Sequence, residues 1–538
     1  MMNEDEKVGA VTLEYQSSNG ARDVDLAKQA AEADHSLGFT EAIRKYPKAV
    51  MWSVLLSTSI IMEGYDIVLL SSFFAQPSFM KRYGEFDPNS KTYQISASWQ
   101  SGLTNAVSIG TIFGAFANGY FSHKFGYRKV LLVSLLLIVG FVFITFFAPN
   151  LGVLLVGELL CGIPWGVFAA MAPAYASEIC PMALRGYLTV YVSLCWAFGQ
   201  LISAGVQAGF EKNTTEWAYR IPFAIQWAWP IPLFFILWFT PESPWFFVRH
   251  GLFSDAEKTV IRLGADRDTA KQILAMMIHT NELEVSIHKG TSYSDCFRGI
   301  DRYRTEIGCL AFAALPFCGL PMAATPTYFF IQIGLPTSIA FQISLGGRGL
   351  ASLGPIISWF LIPHFGRRTM YLWGLGMLAA ILLTIGFISI GTADSVEGSY
   401  AQASMIILWQ FVFYVTVVPM CYAIIGDVSS TRLRNKSVCL GRIALYIAQI
   451  VCNVANPYML SPTAGNWRGK AGFFWGFWAL VFFVWGWFRL PETKGKTFEE
   501  MDILFASGVK ARDFANYEVN AYVDGDNTLT NTKMSTNG

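Results

Sequence analysis

Apolar and polar residues fall along this chain in long blocks. Twelve apolar runs lie near 49–71, 97–121, 129–148, 152–174, 187–209, 222–240, 307–330, 339–361, 370–392, 404–425, 438–460 and 472–489. Each approaches or exceeds the ~18–20 residues a helix needs to cross the ~30 Å hydrocarbon core of a bilayer. Six precede and six follow a charged stretch, 241–304, in which helical patterning recurs at 255–262 and 269–284. The pattern predicts an all-α membrane protein with twelve transmembrane helices in two six-helix halves. Its expected parts are an N-terminal tail (1–48), a first bundle (49–240), an interhelical domain (241–306), a second bundle (307–490) and a C-terminal tail (491–538).

Composition agrees. Of 538 residues, 53% are hydrophobic and 14% charged, whereas a soluble domain carries nearer a quarter charged residues. A net charge of +1 with no basic stripe argues against a nucleic-acid partner. The nine cysteines mostly lie inside apolar runs without paired metal spacing, so they read as small buried hydrophobes, and no metal or cofactor is expected. Residues 1–46 hold no short apolar core followed by a cleavage site, which leaves targeting to the first membrane helix. Lys and Arg number eighteen in the loops on the linker side and seven on the other; the excess places both tails and the linker in the cytosol. Asn213-Thr214-Thr215, a glycosylation acceptor pattern, then falls outside.

Three motifs recur at nearly one spacing. Glu178 to Arg185 after the fourth run answers Asp427 to Arg434 after the tenth, 249 residues on; Pro241-Glu242 answers Pro491-Glu492, 250 on; Phe125-Gly126-Tyr127-Arg128 answers Phe365-Gly366-Arg367-Arg368, 240 on. Two halves of like topology are the hallmark of transporters that rock one half against the other around a midplane site.

Inside the first run stands Glu63-Gly64-Tyr65-Asp66. A charge at the bilayer centre costs roughly 2.5–3.5 kcal/mol on insertion scales, and residues three apart share a helix face. Glu63 and Asp66 therefore face protein or a water-filled path and mark a functional site.

These motifs resemble those of the sugar porter family of the major facilitator superfamily, and within it the fungal α-glucoside (maltose) permeases. The resemblance spans about 45–505 and rests on Glu63 to Asp66, Gly157 to Gly166, Pro241 to Trp245, Pro419 to Tyr422, Asn456 to Leu460 and Asn466 to Phe474. It implies a proton-coupled importer of a disaccharide such as maltose in the plasma membrane. By resemblance Asp66, Glu63 and Glu158 serve proton coupling, with Arg442 as counter-charge. Desolvation favours the neutral form of a carboxylic acid, so a partly dry carboxylate can take a proton on one side and release it on the other. Gln200 stands where the family has a sugar-binding Gln. Tyr328, Phe329, Tyr422, Tyr446, Asn453 and Asn456 are candidates for further cargo contacts, through hydroxyls, amides and aromatic faces. Arg128, Glu178, Arg185, Glu242, Arg368, Asp427, Arg434 and Glu492 form the expected cytosolic gate.

The chain departs from the family pattern in three places. His123 and Pro363 stand where an Asp is usual in the loops after the second and eighth helices. Leu315-Pro316 and Pro321 replace the amides usual in helix seven. Arg348 sits mid-helix among glycines, where two readings stand: a substrate or carboxylate contact, or a structural pair. Two alternatives follow, a transporter of a non-sugar or glycosylated metabolite, exporting or importing, and a nutrient sensor that has lost transport. No phosphate-binding loop or nucleophile-base pattern points to an ATP-driven pump or an enzyme.

Overall fold

A computed structural model of the chain describes residues 39–514, apart from 88–91, 289–292, 362–363, 392–394, 430–432, 495–500 and 502–503. Pro363 and residues 515–538 lie outside the described residues.

Among the described residues stand twelve long helical elements: α1 Pro47–Phe73, α2 Ala97–Phe125, α3 Tyr127–Phe146, α4 Leu151–Ile179, α5 Met182–Phe210 and α6 Trp217–Leu237 in the first half. The second half holds α7, which runs Gly299–Phe317 and continues as Leu320–Ala324 and Pro326–Gln332, then α8 Thr337–Leu361, α9 Arg367–Gly391, α10 Val396–Val428, α11 Arg434–Leu460 and α12 Ala471–Arg489. Several ends follow directly from local chemistry. Asn150 caps α4 by accepting from Val153 N at 2.9 Å, and Ser395 caps α10 by accepting from Gly398 N at 3.0 Å. Gly126, at φ +88°, lets the chain reverse from α2 into α3.

Eight of these, α1, α3, α4, α6 and α9 to α12, are long and apolar enough to cross a membrane by length and composition. Of the rest, α2, α5 and α8 carry a more polar mixture of Gly, Ser, Thr, Asn and Gln, and their place in the fold explains it. They meet the opposite half, α5 against α8 and α2 against α11. Within the halves the packing repeats: α1 on α5 and α7 on α11, α2 on α4 and α8 on α10, α3 on α6 and α9 on α12. The internal repeat is thus a structural one.

Outside the bundles, strands Glu85–Asp87 and Thr92–Gln94 pair antiparallel between α1 and α2, a hairpin that hydropathy had not suggested. It marks one end of the molecule, and the linker marks the other. The linker divides its contacts. Helices Pro244–Arg249 and Phe253–Leu263 pack on each other and on Arg267–His288, and reach α4 and α1; Val260, Leu263, Ala265 and Ala270 are buried in one cluster with Ala42, Tyr46 and the linker-end residues of the first half. The turn Tyr293–Phe297 instead packs on α7 and α11.

Two buried clusters show how the halves meet. The larger runs through the second half and takes in, from the first, only hairpin-end residues such as Leu69, Phe73, Phe79, Ile95 and Phe223. The linker-end residues of the first half, among them Met62, Trp165, Phe168 and Tyr175, form their own cluster. The halves are packed together at the hairpin end and part toward the linker.

Candidate functional site

A cavity of about 280 Å³ lies between the halves, lined from α1, α2, α4 and α5 on one side and α7, α10 and α11 on the other. Its hairpin end is shut. Gln100 Nε2 donates to Tyr328 Oη at 3.3 Å, Ser71 Oγ to Ala324 O at 3.3 Å, and Asn105 Nδ2 to Ile450 O at 3.4 Å, each bond crossing from one half to the other.

The carboxylates enter this cavity because α1 and α5 touch backbone to backbone. A Cβ on Gly199 would lie 2.8 Å from Tyr65 N, and one on Gly64 would strike the Trp196 carbonyl. Asp66 lines the wall and is buried. Its Oδ1 accepts from Gln226 Nε2 at 2.6 Å, and the Trp165 indole lies beside the carboxyl. Gln226 is placed by a break in α6, where a 3-10 turn, Gln226–Ala228, precedes Pro230. Glu63 also lines the cavity and lies in electrostatic range of Asp66 and, across the boundary, of Arg442. The Arg442 guanidinium sits 5.4 Å from the Tyr422 ring centroid. Glu158 is fully buried on α4 behind this wall, in range of Asp66, with neither oxygen hydrogen-bonded. The four residues assigned to coupling therefore gather in one place.

The candidate cargo contacts separate into two groups. Tyr328, Tyr422, Tyr446, Asn453 and Asn456 line the cavity. The last three fall on one stripe of α11 that includes Gln449, a lining residue absent from the expected set. The spacing 442, 446, 449, 453, 456 could have revealed it, since it is the helical i, i+3, i+4 repeat. Asn453 Nδ2 and Asn456 Oδ1 are buried without protein partners. Gln200, Phe329 and Arg348 do not line the cavity. Arg348 Nη1 donates to Gln200 Oε1 at 2.6 Å and its Nη2 to Ala324 O at 3.0 Å. The α7 wall is formed by Leu315, Leu320, Pro321, Ala324, Thr325 and Tyr328, apolar around the break and polar beyond it. Here Gly319, at φ +100°, interrupts the helix, and the freed Pro321 carbonyl accepts from Asn456 Nδ2 at 3.2 Å.

At the linker end the charged motifs build two matching networks. Glu242 accepts from Tyr127 N at 2.8 Å, Ser243 N at 3.0 Å and Arg128 N at 3.1 Å; burial pushes its carboxyl above the usual range, against the pull of these N–H groups. Arg128 also donates to the Trp238 carbonyl. Glu178 pairs with Arg249 at 3.0 Å and accepts from Tyr127 Oη at 3.1 Å. In the second half Glu492 accepts from Thr369 N at 3.4 Å and Thr493 N at 3.1 Å, Asp427 pairs with Arg367 at 3.4 Å, and Arg368 donates to Trp487 O at 2.9 Å. These bonds stay within one half or reach its linker. The side chains of Arg185 and Arg434 lie outside the described residues. The His123 ring lies 5.6 Å from that of His250 in the linker. Asn213 is on the loop between α5 and α6, its Oδ1 accepting from Thr215 N at 2.9 Å.

Comparison with known proteins places this geometry. The family model described as "Sugar (and other) transporter" matches residues 52–505. The alpha-glucosides permease MPH3 of Saccharomyces cerevisiae is 37% identical over 507 residues, covering 92% of this chain and 84% of that protein. The maltose permease MAL31 of the same yeast is 37% identical over 506 residues, covering 92% and 82%. Among solved structures, the xylose transporter XylE from E. coli, in a partially occluded inward open conformation, superposes with a TM-score of 0.68 at 18% identity, covering 84% of this chain and 100% of that one. The fold is that of the major facilitator superfamily, and the chain belongs to the sugar transporter family, a transporter and not an enzyme.

Proposed function

We propose that the chain imports a disaccharide or α-glucoside such as maltose together with protons, by alternating access, across the plasma membrane, with both tails and the linker in the cytosol. One observation carries the reading: the buried carboxyl of Asp66 on the wall of a cavity shared by both halves, held by Gln226 with the Trp165 indole beside it and no basic side chain paired to it among the described residues. The names of the relatives, an alpha-glucosides permease and a maltose permease, support the cargo. With that orientation, the closed hairpin end makes this the inward-facing arrangement. Asp66 takes the proton from outside and gives it up through the cavity, and Glu63, Glu158 and Arg442 set the local field that its charge meets. Each charge moved across the membrane is worth about 2.3 kcal/mol per 100 mV, enough for more than tenfold accumulation. Tyr328, Tyr422, Tyr446, Asn453 and Asn456 hold the sugar hydroxyls and stack on its C–H faces, and the charged motifs at the linker end act as the cytosolic gate. Asn213, outside, is the glycan acceptor. The test is uptake of labelled maltose with external pH recording, in cells lacking their own α-glucoside permeases. Sugar entry with matching alkalinisation is expected; entry with no proton movement would sink the coupling.

A second reading, transport of a glycosylated or non-sugar metabolite, is favoured by the apolar Leu315, Leu320 and Pro321 around the α7 break. A competition panel of glycosides with polar and apolar aglycones separates it from the first.

A further inference from the structure

Arg348 is a buried cation in α8, and among the described residues no carboxylate pairs with it. Its hydrogen bonds go elsewhere. Nη1 donates to Gln200 Oε1 on α5 of the other half at 2.6 Å; Nη2 donates to Ala324 O at 3.0 Å and Ala323 O at 3.4 Å, carbonyls beside the α7 break. Gln410 Nε2 donates to the same Ala323 carbonyl at 2.8 Å. The other end of Gln200 is also occupied, its Nε2 donating to Tyr414 Oη at 3.2 Å.

Gln200 is one helical turn beyond Trp196, and residues four apart share a face. Trp196, Tyr414 and Ala324 all line the cavity, so the amide is held directly behind its wall. Charge-assisted bonds are the stronger kind, and a guanidinium that reaches two groups at once keeps its geometry. The small flanking residues Gly346, Gly347 and Gly349 leave the long side chain room to do so.

We propose that Arg348 is a positioning residue that sets cargo specificity: it withholds the Gln200 amide from the cavity beside Trp196 and Tyr414 and fixes the α7 break, where the apolar Leu315, Leu320 and Pro321 are presented. The inference takes the carbohydrate reading above as its premise. The cargo that fits has a sugar ring for the polar α11 stripe and a less polar moiety for the α7 wall, and maltose is held below the affinity the scaffold allows. Releasing Gln200 adds one hydrogen bond to a second sugar ring.

The test uses the full-length chain with two probes, maltose and p-nitrophenyl α-D-glucopyranoside, in cells lacking their own α-glucoside permeases. Arg348→Met is expected to lower the half-saturation concentration for maltose by about threefold to tenfold, the worth of one net hydrogen bond, with the maximal rate within about twofold. The aryl glucoside gains less. The gain disappears when Arg348→Met/Gln200→Ala is compared with Gln200→Ala, and Arg348→Lys, which keeps a donor for Gln200, retains the wild-type preference. A maltose half-saturation that does not fall, or falls equally without Gln200, overturns the proposal; a purely structural Arg348 would alter stability without this dependence. If Arg348→Met does not fold, Arg348→Leu replaces it, since it likewise carries no donor for Gln200. If the wild type carries neither probe, the carbohydrate reading fails by itself. Maltose binding to the purified variants, followed through tryptophan fluorescence, then decides the role of Arg348: a Gln200-dependent gain upholds it and no gain overturns it.

Discussion

The two halves share one packing plan and divide the chemistry. The first holds the acids, Asp66 and Glu158 buried and Glu63 half-buried, with few hydrogen bonds. The second holds the cation Arg442 and the neutral stripe of Tyr446, Gln449, Asn453 and Asn456. A repeat explains why both halves fold alike; it does not require them to work alike. On the proposed reading the proton and the cargo meet opposite walls of one cavity, and the rocking of one half against the other couples them.

The largest test of that division is Asp66→Asn. It is expected to abolish accumulation, at least about tenfold given the voltage term, while leaving downhill sugar exchange. Asn453→Ala is expected to raise the half-saturation concentration with the proton-to-sugar ratio intact. Loss of proton movement in Asn453→Ala would break the division of labour.

Second in size is helix crossing. In the first half Gly199 meets the backbone of α1, whereas in the second half a Cβ on Gly308 would meet only the Ile425 side chain, at 3.1 Å. Backbone yields less than a side chain, so Gly199→Ala should cost about 2–3 kcal/mol and Gly308→Ala less than about 1, read from thermal midpoints in detergent. Equal losses would mean that the crossings are equivalent after all.

The third contrast is Glu242 against Glu492. The bonds to Glu242 are shorter, at 2.8, 3.0 and 3.1 Å, so Glu242→Gln is expected to loosen the linker by about 1–2 kcal/mol and Glu492→Gln to do less at its own loop, both followed by protease protection. Burial raises the Glu242 carboxyl above its unfolded value. Its contribution is therefore full below the ordinary carboxyl range and is lost as pH rises through the folded value. Glu242→Gln should remove that slope. Smallest is Glu216→Gln, which breaks the exposed Arg220 pair at 2.9 Å and should move stability by less than about 0.5 kcal/mol.

Much of the fold was legible because bilayer length and apolar composition are written locally. Twelve runs matched twelve helical elements, although the charged and polar first turns of α5, α7 and α10 begin five to eight residues ahead of the apolar runs that signal them. The short hairpin had no such signal. At the site, the acids of α1 announced themselves by their cost. The partners did not: Gln226 reaches Asp66 from 160 residues away and Arg348 reaches Gln200 from 148, and no local pattern encodes either meeting. Glu178 likewise bonds Arg249, a linker residue outside its own motif.

The divided linker bears on how such a chain can be cut and how its halves came to be joined. Its contacts change sides between His288 and Tyr293, so the natural seam lies there and not midway between the bundles. Two gene fragments separated at that seam, expressed together, would each carry the surface helices that their own bundle covers, whereas a cut just after α6 would strip the first fragment of the helices that cap it.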